Sequence, residues 1–258
     1  MIRNTIIQIQ TQTLMRILLL DIESAPNTAY VWGLFQQNIS ISQIVDSSSV
    51  LCWSAKWYQG DQLMFSSILN GKKTMLKKIH SLLDECDAVV HYNGTRFDIP
   101  TLNKEFLEAG MSPPAPYHQI DLLKTARKEF RFPSNKLDYV ARALGLGQKT
   151  KHEGFELWIK CMNKDKAAWE VMEQYNKQDV ILLEKVYERF LPWIRTHPNI
   201  SVNKDHRSCT RCASINLQRR GFNTSLTGKY QRYQCQDCGG WQQQRRSEPI
   251  AAEILKPS

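Results

Sequence analysis

The 258-residue sequence lacks any long apolar run, and none approaches the ~18 consecutive residues that a membrane-spanning helix requires. Its first residues lead into a stretch rich in Gln and Thr, without the apolar block and small-residue cleavage site of a signal peptide. It has no internal repeat, and its one low-complexity tract is the short run Gln242–Gln244. We therefore expect a soluble cytoplasmic protein with no membrane partner, and Met15, where an apolar pattern begins abruptly, is a candidate start.

A disulfide framework is also unexpected, because the seven cysteines are an odd number and no secretory signal accompanies them. Three of them, Cys52, Cys86 and Cys161, are isolated in apolar surroundings. We expect these three side chains to be ordinary core residues.

The other four cysteines form two C-x-x-C pairs, Cys209 with Cys212 and Cys235 with Cys238. Four thiolates in two such pairs are typical of a structural, tetrahedral zinc site. A redox-active pair is the alternative, but no thioredoxin-like βαβ pattern surrounds either motif. A module this small has little core, so we expect one zinc ion to supply much of its folding energy.

The formal net charge of +9 favours a polyanionic partner, and the excess is concentrated in residues 201–258, with 10 basic against 4 acidic side chains. A solvated basic surface is the alternative to nucleic acid. Phosphate contacts are expected from Arg219, Arg220, Lys229 and Arg232. The aromatic side chains Tyr230, Tyr233 and Trp241 are equally suited to stacking on bases or to covering the metal site.

The remaining pattern predicts one mixed sheet with helices packed on it, an α/β or α+β arrangement. Strands are expected at 15–23, 50–58, 62–68 and 88–93, the middle two as an antiparallel hairpin. Helices are expected after residue 70, from Asp98 to Gly110, over 119–130, from a Ser134 or Asn135 cap to Gly145, and over 165–191.

Four acidic residues stand out on these elements. Asp21 and Glu23 lie two residues apart at the end of a strand, so their side chains share one face, and a cation between them would relieve their repulsion. Asp179 shares a helical stripe with apolar residues, where a buried carboxylate requires a cation or strong donors. A salt bridge to a lysine or arginine is the alternative for Asp179, and a helix cap is the alternative for Asp98.

These segments resemble the motifs of the DEDD exonuclease superfamily, which has an RNase H-like fold. Asp21-Ile22-Glu23 is similar to its first motif, D-x-E. The stretch from Asn93 to Asp98 resembles the second motif, N-x-x-x-F-D, of the proofreading domains of family-B DNA polymerases. Tyr175 followed by Asp179 matches the third motif, Y-x-x-x-D, of the tyrosine subclass.

The resemblance implies a two-metal 3′–5′ exonuclease acting on DNA, or on RNA as the second choice, with two Mg²⁺ or Mn²⁺ ions. It implies that Asp21 contacts both ions, that Glu23 and Asp179 hold the ion that generates hydroxide, and that Asp98 serves the second ion. Tyr175 would orient the attacking water. Asn93 and Phe97 are candidate nucleic-acid contacts, although Phe97 suits core packing equally well.

The predicted organisation is an extension at 1–14, an RNase H-like domain at 15–195, a linker at 196–208, a zinc ribbon at 209–246 and a tail at 247–258. The chain has no room for a polymerase region, so we expect a stand-alone nuclease, with a phage or mobile-element setting. Two other functions stay open: a structure-specific endonuclease on the same fold, and an inactive nucleic-acid-binding adaptor. The complete acidic set argues against the adaptor.

Overall fold

The computed structural model describes residues 15–150, 153–202, 204, 207–225 and 228–249. Two compact units form, one spanning Arg16–Phe190 and the other including the described residues from Leu191 onward. The predicted extension at 1–14 and residues 250–258 of the predicted tail lie outside the described residues. Within the described part of the chain, none of the helices combines the length and apolar character needed to cross a membrane.

The larger unit is built around a five-stranded sheet. Its strands and a small separate pair are β1 (Ile17–Ser24), β2 (Thr28–Ala29), β3 (Ile44–Asp46), β4 (Val50–Trp57), β5 (Leu63–Ser67), β6 (Ala88–His91) and β7 (His118–Asp121). The sheet order is β5-β4-β1-β6-β7, and the separate pair is β2 with β3. Strand β1 runs antiparallel to β4 and parallel to β6, and β6 runs parallel to β7, so the sheet is mixed.

Strand β1 occupies the centre of this sheet, which explains its unbroken apolar run. Residues 17–20 are all buried, because neighbouring strands cover both edges and helices cover both faces. The predicted hairpin at 50–68 is present as the antiparallel pair β4 and β5. The two carboxylates that follow the apolar run therefore emerge at the end of the central strand.

Helices flank both faces of the sheet. They are α1 (Lys72–Glu85), α2 (Asp98–Glu108), α3 (Leu122–Glu129), α4 (Leu137–Ala143), α5 (Phe155–Met162) and α6 (Lys166–Phe190). One core cluster joins Leu18 and Leu20 of β1 to α1 and α2, and a second joins Leu51 of β4 to α5 and α6. The predicted α/β fold, a mixed RNase H-like sheet flanked by helices, is confirmed.

Two local predictions are wrong. The segment 119–130 is not one helix, since His118–Asp121 forms β7 and only Leu122–Glu129 is helical. Asp121 then caps α3 by accepting a 3.0 Å hydrogen bond from the Leu123 amide. The N-cap residue of α4 is Lys136, and no side chain caps that helix. Helix α5 and the pair β2–β3 were not predicted.

The smaller unit contains a three-stranded antiparallel sheet. Its strands are β8 (Leu217–Thr224), β9 (Lys229–Cys235) and β10 (Trp241–Gln243), in the order β10-β9-β8. The first C-x-x-C pair precedes β8, and the second begins at the last residue of β9. The strands thereby bring the two cysteine pairs together.

Candidate active site and cysteine cluster

Three of the predicted carboxylates meet at the end of β1. Asp21 and Glu23 stand opposite Ser54 and Cys52 of β4. Helix α6 packs against β1 and β4 and brings Asp179 to the same place. One carboxylate oxygen from each of Asp21, Glu23 and Asp179 lies within 4.8 Å of the other two. The two-residue period of the strand and the 3.6-residue period of the helix thus place all three side chains in one cluster.

Asp179 belongs to the carboxylate cluster and also forms a salt bridge. It is only 1% exposed and lies within the carboxylate cluster. Its Oδ2 also accepts a 2.5 Å hydrogen bond from Lys149 Nζ, so the predicted alternative, a salt bridge to a lysine, is present as well. Lys149 further donates to the Tyr175 hydroxyl at 3.0 Å. Lys149 therefore links the two residues of the third motif.

Burial and mutual repulsion make negative charge unfavourable in this cluster. Burial, followed by the charge of Asp179, raises the pKa of Asp21 well above its usual range and the pKa of Glu23 to about 8. Burial also raises the pKa of Asp98 to about 7. A divalent cation would reverse these shifts by favouring the ionised carboxylates, and donors that are all oxygen suit Mg²⁺ or Mn²⁺. The residues present therefore fit a divalent metal.

Asp98 makes a different hydrogen bond from those of the other three carboxylates. It is the first residue of α2 and is 5% exposed, while Phe97 occupies the N-cap position without a side-chain cap bond. Asp98 Oδ1 accepts a 3.2 Å hydrogen bond from the amide of Ile22, the residue between Asp21 and Glu23. The carboxylate thus ties the start of α2 to β1 instead of acting as the helix cap.

Sequence reasoning missed three polar contacts to the cluster. Asn176 is fully buried, and its Nδ2 donates to Asp21 Oδ2 at 2.6 Å. Trp158 of α5 hydrogen-bonds the Glu23 side chain, and Lys149 reaches Asp179 from an irregular segment. Of these three residues, only Asn176 could have been predicted from the sequence, because it lies three residues before Asp179 and so shares its helical face.

The two predicted contacts of the second motif differ in exposure. Asn93 has a backbone φ of 71°, and its amide donates to Asp121 Oδ1 at 3.0 Å. Asn93 helps to line a cleft of about 560 Å³ that also includes Asp21. Phe97 is 46% exposed, so the alternative of core packing for its ring is wrong.

The four cysteines of the smaller unit form a close group. Their sulfur atoms all lie within 4.8 Å of one another, with Cys209 Sγ 3.6 Å from Cys238 Sγ and Cys212 Sγ 3.6 Å from Cys235 Sγ. A tetrahedron with Zn–S bonds of about 2.3 Å has edges of about 3.8 Å. The sulfur spacing therefore fits a four-thiolate zinc site.

Backbone amides also favour thiolates at this site. The Arg211 amide donates to Cys209 Sγ at 3.5 Å, and the Gly240 amide donates to Cys238 Sγ at 3.4 Å. The hydrogen bond from the Cys238 thiol lowers the pKa of Cys209 to about 5, while burial raises the pKa of Cys212 to about 11. A bound zinc ion would place all four sulfurs in the thiolate form.

The predicted phosphate-binding residues of this unit are exposed. Arg219, Arg220, Lys229 and Arg232 all lie on the surface of β8 and β9. The aromatic residues differ in exposure, because Tyr233 is 4% exposed whereas Trp241 is 45% exposed. Tyr233 therefore belongs to the core of the unit, and Trp241 is accessible.

A family model described as RNase_H superfamily matches residues 18–191. The chain belongs to the RNase_H superfamily. Among solved structures, a family B DNA polymerase from the hyperthermophilic archaeon Pyrobaculum calidifontis is similar at 18% identity, with a TM-score of 0.48. The similarity covers 69% of this chain and 25% of the polymerase chain. No curated protein matches the chain.

Superfamily membership bears on the reaction that the carboxylate cluster can support. The matched residues include all four predicted acids, from Asp21 to Asp179. Membership supports a nuclease-type hydrolase, a nucleic-acid substrate and the use of divalent metal ions. The cysteine cluster lies beyond the matched residues.

Proposed function

We propose that this chain is a divalent-metal-dependent 3′–5′ exonuclease of the tyrosine subclass of the DEDD superfamily, acting on DNA. One observation carries the proposal: Asp21, Glu23 and Asp179 place carboxylate oxygens within 4.8 Å of one another inside an RNase H-like domain. Burial and the neighbouring charge of Asp179 raise the pKa values of Asp21 and Glu23, so additional positive charge would favour their ionised forms. Metal ions would supply it.

In this proposal the four acids hold two Mg²⁺ or Mn²⁺ ions, with Asp98 placed by the Ile22 amide. Bound ions would activate the attacking water and offset the charge that develops on the scissile phosphate. The Tyr175 hydroxyl orients that water, and Lys149 fixes the hydroxyl by donating to its oxygen. Asn176 holds the Asp21 carboxylate in place.

The smaller unit is proposed to be a zinc ribbon that assists nucleic-acid binding. Its support is the sulfur spacing together with the exposed cations of β8 and β9. We propose an exonuclease domain at 15–195, a linker at 196–208, a ribbon at 209–246 and a tail at 247–258.

The test uses single-stranded DNA labelled at either end and incubated with 5 mM (roughly saturating) Mg²⁺ or with EDTA. We expect stepwise shortening from the 3′ end that requires Mg²⁺. Asp179→Asn and Asp21→Asn should lower the rate at least roughly 10³-fold, because a metal contributes several kcal/mol and each 1.36 kcal/mol is tenfold. The matched control is Glu170→Gln, an exposed acid on α6, which should retain activity.

Three results would contradict the proposal. Full activity of both variants would remove the carboxylates from the mechanism. Cleavage of circular single strands would make the enzyme an endonuclease. Binding without any cleavage in Mg²⁺ or Mn²⁺ would make the chain an adaptor.

A further inference from the structure

A cleft lies beside the carboxylate cluster, and Asp21 of the cluster forms part of its wall. It opens where β6 ends and where α3 and α4 begin, and its volume is about 560 Å³. Sites for small ligands commonly enclose about 300–1,000 Å³, so the cleft can hold a nucleotide. Its lining residues outside the cluster include Tyr92, Leu123, Arg127, Asn135 and Lys136.

Two cations of this cleft are available to an anion. Arg127 and Lys136 are exposed, and within the described residues neither forms a salt bridge with a carboxylate. The cleft acid Asp138, in contrast, is engaged by Arg142 at 2.8 Å and by the Lys149 amide at 3.0 Å. The cleft therefore offers positive charge that the fold itself does not use.

Asn135 contributes a buried hydrogen-bond acceptor to the wall of this cleft. Its Oδ1 is buried and has no hydrogen-bond partner among the described residues, although most buried polar atoms in proteins have one. Its backbone oxygen is already occupied by the Tyr92 hydroxyl at 2.7 Å. Asn135 lines the cleft, so a ligand that carries both a phosphate and an N–H or O–H donor would pair with the cations and, once the Asn135 amide turns toward it, with this acceptor. A nucleotide has these groups.

We propose that this cleft binds a nucleotide of the substrate strand next to the one being released, with Arg127 and Lys136 contacting its backbone phosphate. The inference rests on the proposed function, since it assumes that a strand reaches the carboxylates. It gives the enzyme a requirement for a strand longer than one nucleotide. The same phosphate chemistry is found in a mononucleotide product, and the experiment separates the two sources.

The first arm measures binding of a 5′-fluorescein single-stranded 12-mer by anisotropy in EDTA, over a series of salt concentrations. Each phosphate contact contributes about 0.7 to the slope of log affinity against log salt for single strands. We expect Arg127→Gln and Lys136→Gln each to weaken binding and reduce that slope by about 0.7, and Arg127→Lys to restore most of it. Lys78→Gln, an exposed charge on α1 outside the cleft, is the control. Unchanged slopes, or an equal loss in the control, would overturn the proposal.

The second arm uses the p-nitrophenyl ester of thymidine 5′-monophosphate, a substrate with a single phosphodiester and no neighbouring nucleotide. We expect the two variants to raise KM for the 12-mer and to leave KM for the ester unchanged. An equal rise for both substrates would assign the cations to the released nucleotide and contradict the inference. If the chain cleaves nothing, the proposed function fails, while the binding arm still reports on the cleft.

Discussion

Asn176 Nδ2 lies 2.6 Å from Asp21 Oδ2, so a fully buried amide of α6 is bonded to a carboxylate at the end of the central strand. The same nitrogen lies 3.4 Å from the Asp21 backbone oxygen. This contact joins the helix that carries the third motif to the strand that carries the first. Because Asp179 lies on the same helix, this contact also fixes the distance between Asp21 and Asp179.

Replacing Asn176 by leucine keeps the side-chain volume and removes this donor. Leaving a buried acceptor without its donor costs about 1–3 kcal/mol, so Asn176→Leu should lower the free energy of unfolding by about that amount. Urea unfolding measures the loss, and a nuclease assay should show reduced activity. Gln174→Leu, on the exposed face of α6, is the control. Wild-type stability in Asn176→Leu would show that the contact does not stabilise the fold.

Lys149 supplies positive charge to the cluster in the metal-free protein. Breaking a buried ion pair costs about 3–5 kcal/mol, and the partial exposure of Lys149 reduces the expected loss for Lys149→Met to about 1–3 kcal/mol. Because added Mg²⁺ would replace the missing charge, the loss should shrink when the melt is repeated with the ion. Lys177→Met removes a partly exposed i,i+4 pair with Glu173 and should cost much less. A loss that Mg²⁺ leaves unchanged would contradict this account.

The pKa of Glu23 predicts how stability depends on pH in the metal-free protein. Burial raises that pKa from 4.5 to about 8, so between these values the folded state holds a proton that the unfolded state releases. The contribution is complete below pH 4.5 and is lost as the pH rises through about 8. Thermal melts in EDTA should therefore show a decline between pH 4.5 and about 8 that is smaller in Glu23→Gln.

Mg²⁺ binding should show the opposite dependence, because the ion requires the ionised carboxylate. Calorimetric titration should give tighter binding as the pH rises toward 9, with proton release. Equal decline of wild type and Glu23→Gln in EDTA would refute the assignment of this titration to Glu23.

Position 94 requires glycine, because its backbone lies close to the His91 ring. A Cβ at position 94 would lie 2.4 Å from the His91 ring, whose Nδ1 accepts a 3.0 Å hydrogen bond from the Gly94 amide. Gly94→Ala should cost about 1–3 kcal/mol of unfolding free energy and disturb the segment that leads to Asp98. Gly33→Ala, where only a flexible Gln37 side chain must move, is the control. If His91→Ala in the same chain fails to relieve the loss, the steric explanation is wrong.

Removal of zinc should affect the two compact units differently. We expect one zinc ion per chain by metal analysis and none in Cys235→Ser, with Cys86→Ala as a control outside the cluster. Because the metal supplies folding energy to a small unit, a chelator should abolish the protection of β8–β10 in hydrogen exchange. The unit Arg16–Phe190 should keep its protection. Zinc-free protein with a protected ribbon would contradict the prediction.

The α/β class and the positions of the principal acids followed from local periodicity. A strand presents every second residue to one side, which pairs Asp21 with Glu23, and a helix presents every third or fourth, which places Asp179 in an apolar stripe. The C-x-x-C spacing is also local. Such patterns depend on backbone geometry alone, so they are readable without knowing what packs against them.

Other features were decided by contacts between distant segments. Residues His118–Asp121 have no alternating pattern, and they form a strand because β6 offers them a parallel partner. Lys149 lies in an irregular segment 30 residues before Asp179, and Asp98 bonds an amide 76 residues away. No local preference encodes such pairings, because they arise only when the packing of the sheet and helices removes these charges from water. The sequence determined which groups carry the charge, and the tertiary structure determined which neighbours balance it.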